Sequence, residues 1–144
     1  MRTLYCVAGA VLAIDQLTKL LAISYLKPKA NLPVFENYFH LSFVENTGIA
    51  FGLFQNRPEF WVLIITLSVV GLFAGSWFFR RQSLSKRLAF GFILGGAIGN
   101  WVDRVRFHHV IDFLDFRIWP VFNIADSFIT IGVVVLIWAA LRGR

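Results

Sequence analysis

Phe60–Phe79 is a run of twenty residues without one charged side chain. Wound as a helix, about 20 apolar residues cover the hydrocarbon core of a bilayer. Inside hydrocarbon every backbone N–H and C=O must be bonded within the protein, so such a run commits the chain to membrane helices. Three further segments share the pattern with interruptions. Leu4–Leu26 is broken by Asp15-Gln16 and Thr18-Lys19; Leu88–Val105 is apolar until Asn100, Asp103 and Arg104; Phe122–Leu141 carries Asn123 and Asp126 in its first turns. The expected fold is an all-α integral membrane bundle of four transmembrane helices, one domain over residues 1–144. Composition agrees, with 58% hydrophobic residues and sixteen Phe, against roughly half apolar in a soluble domain. The second span is expected to start at Asn56 as N-cap, with Pro58 in the first turn and Glu59 as a capping-box acid.

The formal net charge is +6, and its placement is more informative than its size. Arg2, the link with Arg80, Arg81, Lys86 and Arg87, and the tail with Arg142 and Arg144 carry basic groups and no acid. Connection 27–59 balances Lys27, Lys29 and Arg57 against Glu36, Glu45 and Glu59; connection 106–121 balances Arg106 and Arg117 against Asp112 and Asp115. The positive-inside rule then puts both termini and the link 80–87 in the cytoplasm and the two longer connections outside. The charge is a topology signal, so no nucleic-acid partner is expected. Asp15 and Lys19 argue against reading the first helix as a cleaved signal peptide. Cys6 is the single cysteine; an intrachain disulfide and a cysteine zinc cluster are both excluded, and the expected role of Cys6 is inert packing.

Between the first two helices, Phe39, Leu41 and Phe43 alternate with His40, Ser42 and Val44, a strand-like period, and Asn46-Thr47-Gly48 ends it with turn residues. A small extracytoplasmic β element between helices 1 and 2 is expected.

Ionisable residues at membrane depth are costly and point to function unless local pairing explains them. Asp15 and Lys19 stand at i, i+4 on one helix face and can neutralise each other. Asn100, Asp103 and Arg104 repeat that spacing, beside small residues Gly95, Gly96, Ala97 and Gly99 that permit close helix approach. Asp112, just beyond the third span, and Asp126, early in the fourth, lack a basic residue at three or four positions' distance. Both fall near the outer membrane boundary. Two facing carboxylates can share one proton, giving a base to activate water and an acid to protonate a carbonyl oxygen. Which is acid and which is base stays open, because coupled carboxylates titrate as a pair. The three histidines, His40, His108 and His109, form no His-Glu-x-x-His motif, and no Gly-x-Ser-x-Gly is present. The alternative reading is a small membrane transporter or proton relay built on the same acids.

These residues fall in motifs that resemble the lipoprotein signal peptidase (signal peptidase II) family over nearly the whole chain. They are Asp15-Gln16-Leu17-Thr18-Lys19; Val44-Glu45-Asn46-Thr47-Gly48-Ile49-Ala50-Phe51-Gly52-Leu53-Phe54; Gly95-Gly96-Ala97-Ile98-Gly99-Asn100 with Asp103-Arg104; Val110-Ile111-Asp112-Phe113-Leu114-Asp115-Phe116; and Phe122-Asn123-Ile124-Ala125-Asp126-Ser127. The resemblance implies a membrane aspartic endopeptidase that cleaves bacterial prolipoproteins before a diacylglyceryl-modified cysteine. It makes Asp112 and Asp126 the catalytic pair. Asp15, Lys19, Asn46, Gly48, Asn100, Arg104 and Asn123 become substrate-binding or supporting residues, with Asp103 and Asp115 structural. No metal or other cofactor is expected. The expected partners are lipidated prolipoproteins and membrane lipid, the expected state is a monomer, and the expected location is the bacterial cytoplasmic membrane with the site near the outer leaflet. His108 departs from the pattern, standing where the family usually has glycine.

Overall fold

The computed structural model describes residues 1–48 and 58–142. Helix α1 (Arg2–Leu21) runs into one π-helical turn, Ala22–Leu26; a hairpin of β1 (Asn31–Phe35) and β2 (Phe39–Asn46) follows. Helix α2 (Pro58–Gly75) tightens into a 3-10 stretch, Ser76–Arg81, before α3 (Leu84–Phe107), β3 (Val110–Asp115) and α4 (Ile124–Leu141). The expected Asn56 cap lies outside the described residues.

Among the described residues, three helices are long and apolar enough to cross a membrane: Arg2–Leu26, Glu59–Arg81 and Ile124–Leu141, with mean hydropathies of 1.7, 2.2 and 2.2. Helix α3, with 24 residues, has the length, but its glycines, Asn100, Asp103 and Arg104 dilute its apolar character. Those same residues make it the central helix, packed against α1, α2 and α4. A methyl group on Gly91 would sit 2.8 Å from the Leu4 carbonyl oxygen, and one on Gly96 would sit 2.6 Å from the Ala125 carbonyl oxygen. The two neighbouring helices therefore approach α3 backbone to backbone at these glycines, as small residues allow in membranes. Helix α2 is the contrast: Leu63, Ile64, Leu67, Val70 and Phe73 all face outward, as expected of a surface solvated by lipid.

The β structure is not confined to the first connection. The sheet has three strands in the order β1-β2-β3, both pairs antiparallel, so the connection after α3 supplies a strand that the sequence pattern missed. The reason is burial: Val110, Ile111, Asp112 and Phe113 are all buried, so apolar residues occupy both faces of β3 and the alternation of a one-sided strand is lost. Strand β1 is the edge and accommodates Pro33, whose missing N–H costs no ladder bond there. Ala22 and Leu26 of the π turn pack against Ile111 and Phe113 under the sheet.

The sheet thus gathers the ends of α1 and α3 and the start of α4. At the other end of the bundle the Tyr5 hydroxyl bonds the Ser76 hydroxyl at 2.8 Å and Phe79 stacks on Phe90 with ring centroids 4.1 Å apart. Arg2, Arg80, Arg81, Lys86, Arg87 and Arg142 collect at that end. Cys6 is exposed on α1, facing outward and not packed in the core.

Candidate active site

Asp112 projects from the middle of β3 and Asp126 from the first turn of α4, placed by local chemistry at each position. Asn123 is the N-cap of α4: its side-chain oxygen accepts from the Asp126 backbone N–H at 2.9 Å, and the Asp126 carboxylate accepts from the Asn123 N–H at 3.4 Å. This capping box, visible in sequence as Asn-x-x-Asp, starts the helix two residues later than the apolar run suggested. It also fixes the Asp126 side chain over the helix N-terminus.

The two carboxylates are linked through carboxamides. Asn123 Nδ2 donates to Asp112 Oδ1 at 2.7 Å and to Asn100 Oδ1 at 3.1 Å, and Asn100 Nδ2 donates to Asp126 Oδ1 at 2.8 Å. From β2, Asn46 Nδ2 donates to Asp112 Oδ2 at 2.7 Å. The antiparallel register, with Val44 opposite Asp112 and Asn46 opposite Val110, brings that amide within reach. Asn46 in turn accepts from the Gly48 N–H at 2.9 Å, and Gly48 has φ 76°. A side chain at Gly48 would meet the Arg104 guanidinium, with a Cβ 2.9 Å from Nη2, so glycine here serves both the turn and the seat of Arg104. Asp112 is buried. Burial pushes its carboxyl up to about 6; the Asp126 charge adds to the rise, and the donors Asn46 and Asn123 with the Lys19 charge oppose it.

Beneath this pair lies a second group of acids. Lys19 Nζ sits 2.9 Å from Asp15 Oδ2, 2.7 Å from Asp103 Oδ2 and 3.0 Å from Asn100 Oδ1. The local Asp15–Lys19 pair expected from spacing is present. Asn100, Asp103 and Arg104 repeat that spacing but form no such local pair among the described residues: Asp103 pairs with Lys19 across the helix interface. Asp15 also accepts from the Ala125 N–H at 3.0 Å, Asp103 accepts from the Ile111 N–H at 3.2 Å, and the Gln16 amide donates to Asp103 at 3.0 Å. The node therefore ties α1, α3, β3 and α4, the elements that carry the upper acids. Asp103 and Gln16 were not among the candidate site residues, and only a three-dimensional contact identifies them as part of this node.

Asp115 lies apart. It accepts from the Ser42 hydroxyl at 2.8 Å and from the Arg117 N–H at 2.8 Å, closing the sheet. His108 caps α3 in the left-handed region, φ 62° and ψ 7°, with its N–H bonded to the Arg104 carbonyl at 3.1 Å. A glycine-like position is occupied by a residue with a Cβ, and the imidazole is exposed. His109 approaches Glu45 at 3.9 Å, and Lys27 pairs with the same Glu45 at 2.9 Å, on the rim of the sheet.

Apolar grooves flank the acids. One of about 560 Å³ runs along Asp126 between Phe116, Ile118, Trp119, Phe122 and Ile131. A second of about 290 Å³ lies on the α2 side, with Asn100 and Arg104 beside Trp61, Ile64, Ile65 and Ile129. Asp112 and Asp126, one end of each groove and the Arg104 guanidinium, whose Nη1 donates to the Thr47 carbonyl at 3.5 Å, thus share one end of the bundle.

Comparison with known proteins identifies the family. Residues 7–142 match the family model described as signal peptidase (SPase) II. The chain is 44% identical to the lipoprotein signal peptidase of Moorella thermoacetica over 131 residues, covering 91% of this chain and 87% of the relative. It is 42% identical to that of Halothermothrix orenii over 133 residues, covering 92% and 91%. A solved bacterial membrane enzyme at 1.9 Å superposes with a TM-score of 0.86 at 30% identity, covering all of this chain and 96% of the other; a second, at 2.3 Å, gives 0.83 at 31%, covering 99% and 89%. With a matched family model over nearly its whole length and relatives well above 30% identity, the chain belongs to the signal peptidase II family of peptidases.

Proposed function

We propose that this peptidase removes signal peptides from bacterial prolipoproteins by a metal-free mechanism in which Asp112 and Asp126 share one proton. The observation that carries the reading is chemical: two acids on separate elements are joined only by amide donors, and among the described residues neither has an ion-pair partner within 4 Å. The ionised member takes a proton from water as the water oxygen attacks the scissile carbonyl carbon, and the protonated member donates to the carbonyl oxygen. Collapse of the tetrahedral intermediate breaks the C–N bond as the proton held by the base passes to the leaving amine. One hydroxyl of the intermediate returns its proton to the other carboxylate as the C=O bond re-forms, restoring the pair with its one shared proton. The amides of Asn46, Asn100 and Asn123 hold the carboxylates without quenching their charge. The groove along Asp126 suits the acyl chains of a diacylglyceryl-modified cysteine, and Arg104 stands where substrate backbone carbonyls or a lipid ester would pass.

Helix α3 is read here as a fourth span, buried at the bundle centre where its polar residues avoid lipid. The basic end then faces the cytoplasm, and the sheet and the acids lie at the outer leaflet in one monomeric membrane domain. The apolar Ile118 and Trp119, exposed beyond β3, suit an interfacial position.

Purified wild-type protein should cleave a lipidated prolipoprotein before its modified cysteine and retain that activity after exhaustive chelation. Loss on chelation, restored by one divalent ion, would overturn the metal-free reading. Reporter fusions after Arg81 should report cytoplasm and fusions after Asn37 the outside; the reverse pattern would put the acids at the wrong face.

A further inference from the structure

The reaction just described leaves one buried cation unused. We propose that Lys19 is a positioning residue: it sets which end of the Asn100 carboxamide faces Asp126, and so preserves a base in the catalytic pair.

The two ends of a carboxamide have nearly the same shape, so hydrogen bonding and not packing selects its orientation. Asn123 is oriented by backbone, because its oxygen must accept the Asp126 N–H, which turns its Nδ2 toward Asn100 and Asp112. Among the described residues the Asn100 carboxamide has no backbone partner. Its oxygen faces the Lys19 ammonium at 3.0 Å and Asn123 Nδ2 at 3.1 Å, and its Nδ2 faces Asp126 Oδ1 at 2.8 Å. An ammonium offers donors only, so it admits only the oxygen end. The Lys19 donors are directed in turn at three acceptors, on Asp15, Asp103 and Asn100, which leaves the ammonium no other pose.

Reversal of Asn100 would set its NH₂ against the Asn123 NH₂ and its carbonyl against the Asp126 carboxylate. Only a protonated Asp126 would relieve that second clash. The shared proton would then be held on Asp126, which could no longer serve as the base that activates water. The charged groups facing Asn100 and the pair are Asp15 and Lys19 from α1, Asp103 and Arg104 from α3, Asp112 from β3 and Asp126 from α4; Lys19 alone both carries positive charge and bonds the amide.

This inference rests on the dyad reading and is tested on the full-length enzyme in detergent with one lipidated substrate. Lys19→Met should lower kcat by about 100-fold or more, the scale of one general-base contribution, with KM changed less than about threefold. The acid limb of its pH–rate profile should move to higher pH. In an Asn100→Ala background the same exchange should cost nothing further, since the two residues act as one unit. A folded Lys19→Met enzyme with kcat near wild type overturns the inference, as does a loss that adds in full to that of Asn100→Ala. Should Lys19→Met fail to fold, Asp15→Asn/Lys19→Met/Asp103→Asn removes the ammonium with both counter-charges and is judged by the same outcomes. Failure of the dyad itself is separate: Asp112→Asn or Asp126→Asn would then retain turnover, whatever Lys19 does.

Discussion

Two pairs of acids lie within one end of this bundle, and the protein treats them oppositely. Asp15 and Asp103 are given a lysine, both within 3 Å of its ammonium. Asp112 and Asp126 are given only amides. A cation neutralises a buried carboxylate and removes it from proton chemistry; an amide N–H holds a carboxylate in place and leaves its charge available. The lower pair is therefore suited to a structural joint, and the upper pair to the reactive role we propose for it. Asn100 belongs to both, because one end of its amide meets Lys19 and the other meets Asp126.

The sharpest way to break the comparison is to exchange acids for amides in the upper pair. Asp112→Asn and Asp126→Asn should each lower cleavage of a lipidated prolipoprotein by about 10³-fold or more, near the upper range for a general acid or base, in protein that still folds. Near wild-type turnover in either would dissolve the distinction.

The lower pair should fail in the other sense. Asp103→Leu leaves the Ile111 N–H without its acceptor and removes the shorter of the two carboxylate contacts that hold the buried Lys19 ammonium. Breaking a buried ion pair from one side costs about 3–5 kcal/mol, read as a lower thermal midpoint in detergent. An unchanged midpoint with lost activity would move Asp103 into the reactive set.

A smaller effect of opposite sign is expected for stability of the upper pair. Because Asp112 is raised to about 6, the folded state binds more protons than the unfolded one between the ordinary aspartate value and 6. Stability from this group is accordingly lost as pH rises through that window and stays lost above it. Asp112→Asn should then be more stable than wild type at pH 7, on the order of 1–3 kcal/mol at 1.36 kcal/mol per pKa unit, with the gain vanishing below about pH 4. A variant destabilised at neutral pH would show that Asp112 is held in place as a structural charge.

The smallest effect belongs to His108, which touches neither pair. A residue with a Cβ in the left-handed region is strained by about 1–2 kcal/mol, and glycine is the usual helix C-terminal residue there. His108→Gly should raise stability by about 1 kcal/mol and leave the pH–rate profile unchanged. Disappearance of a limb near the usual histidine range would bring the imidazole into the mechanism.

How much of this was legible before the fold is decided by the range of each interaction. Apolar length, the one-sided lysines and arginines, and polar residues inside apolar runs are local properties, so the helices, the candidate acids and the Asp15–Lys19 spacing could be read along the chain. The φ > 0 need at position 108 was likewise readable, from the glycine the family usually has there. The strand β3 was not, because burial on both faces erased its alternation, and the Asn123–Asp126 cap was a local signal passed over inside an apolar segment. The choice between a cation and an amide as partner was beyond any local reading. Lys19 and Asn100 are eighty-one residues apart, and they meet only because glycines at 91, 95 and 99 let α1 close on α3. The sequence by itself determined a membrane bundle that carries acids within and beside its apolar segments; which acids face a cation and which face only amides was decided by tertiary packing, since a buried carboxylate's chemistry depends on the group placed within 3 Å of it.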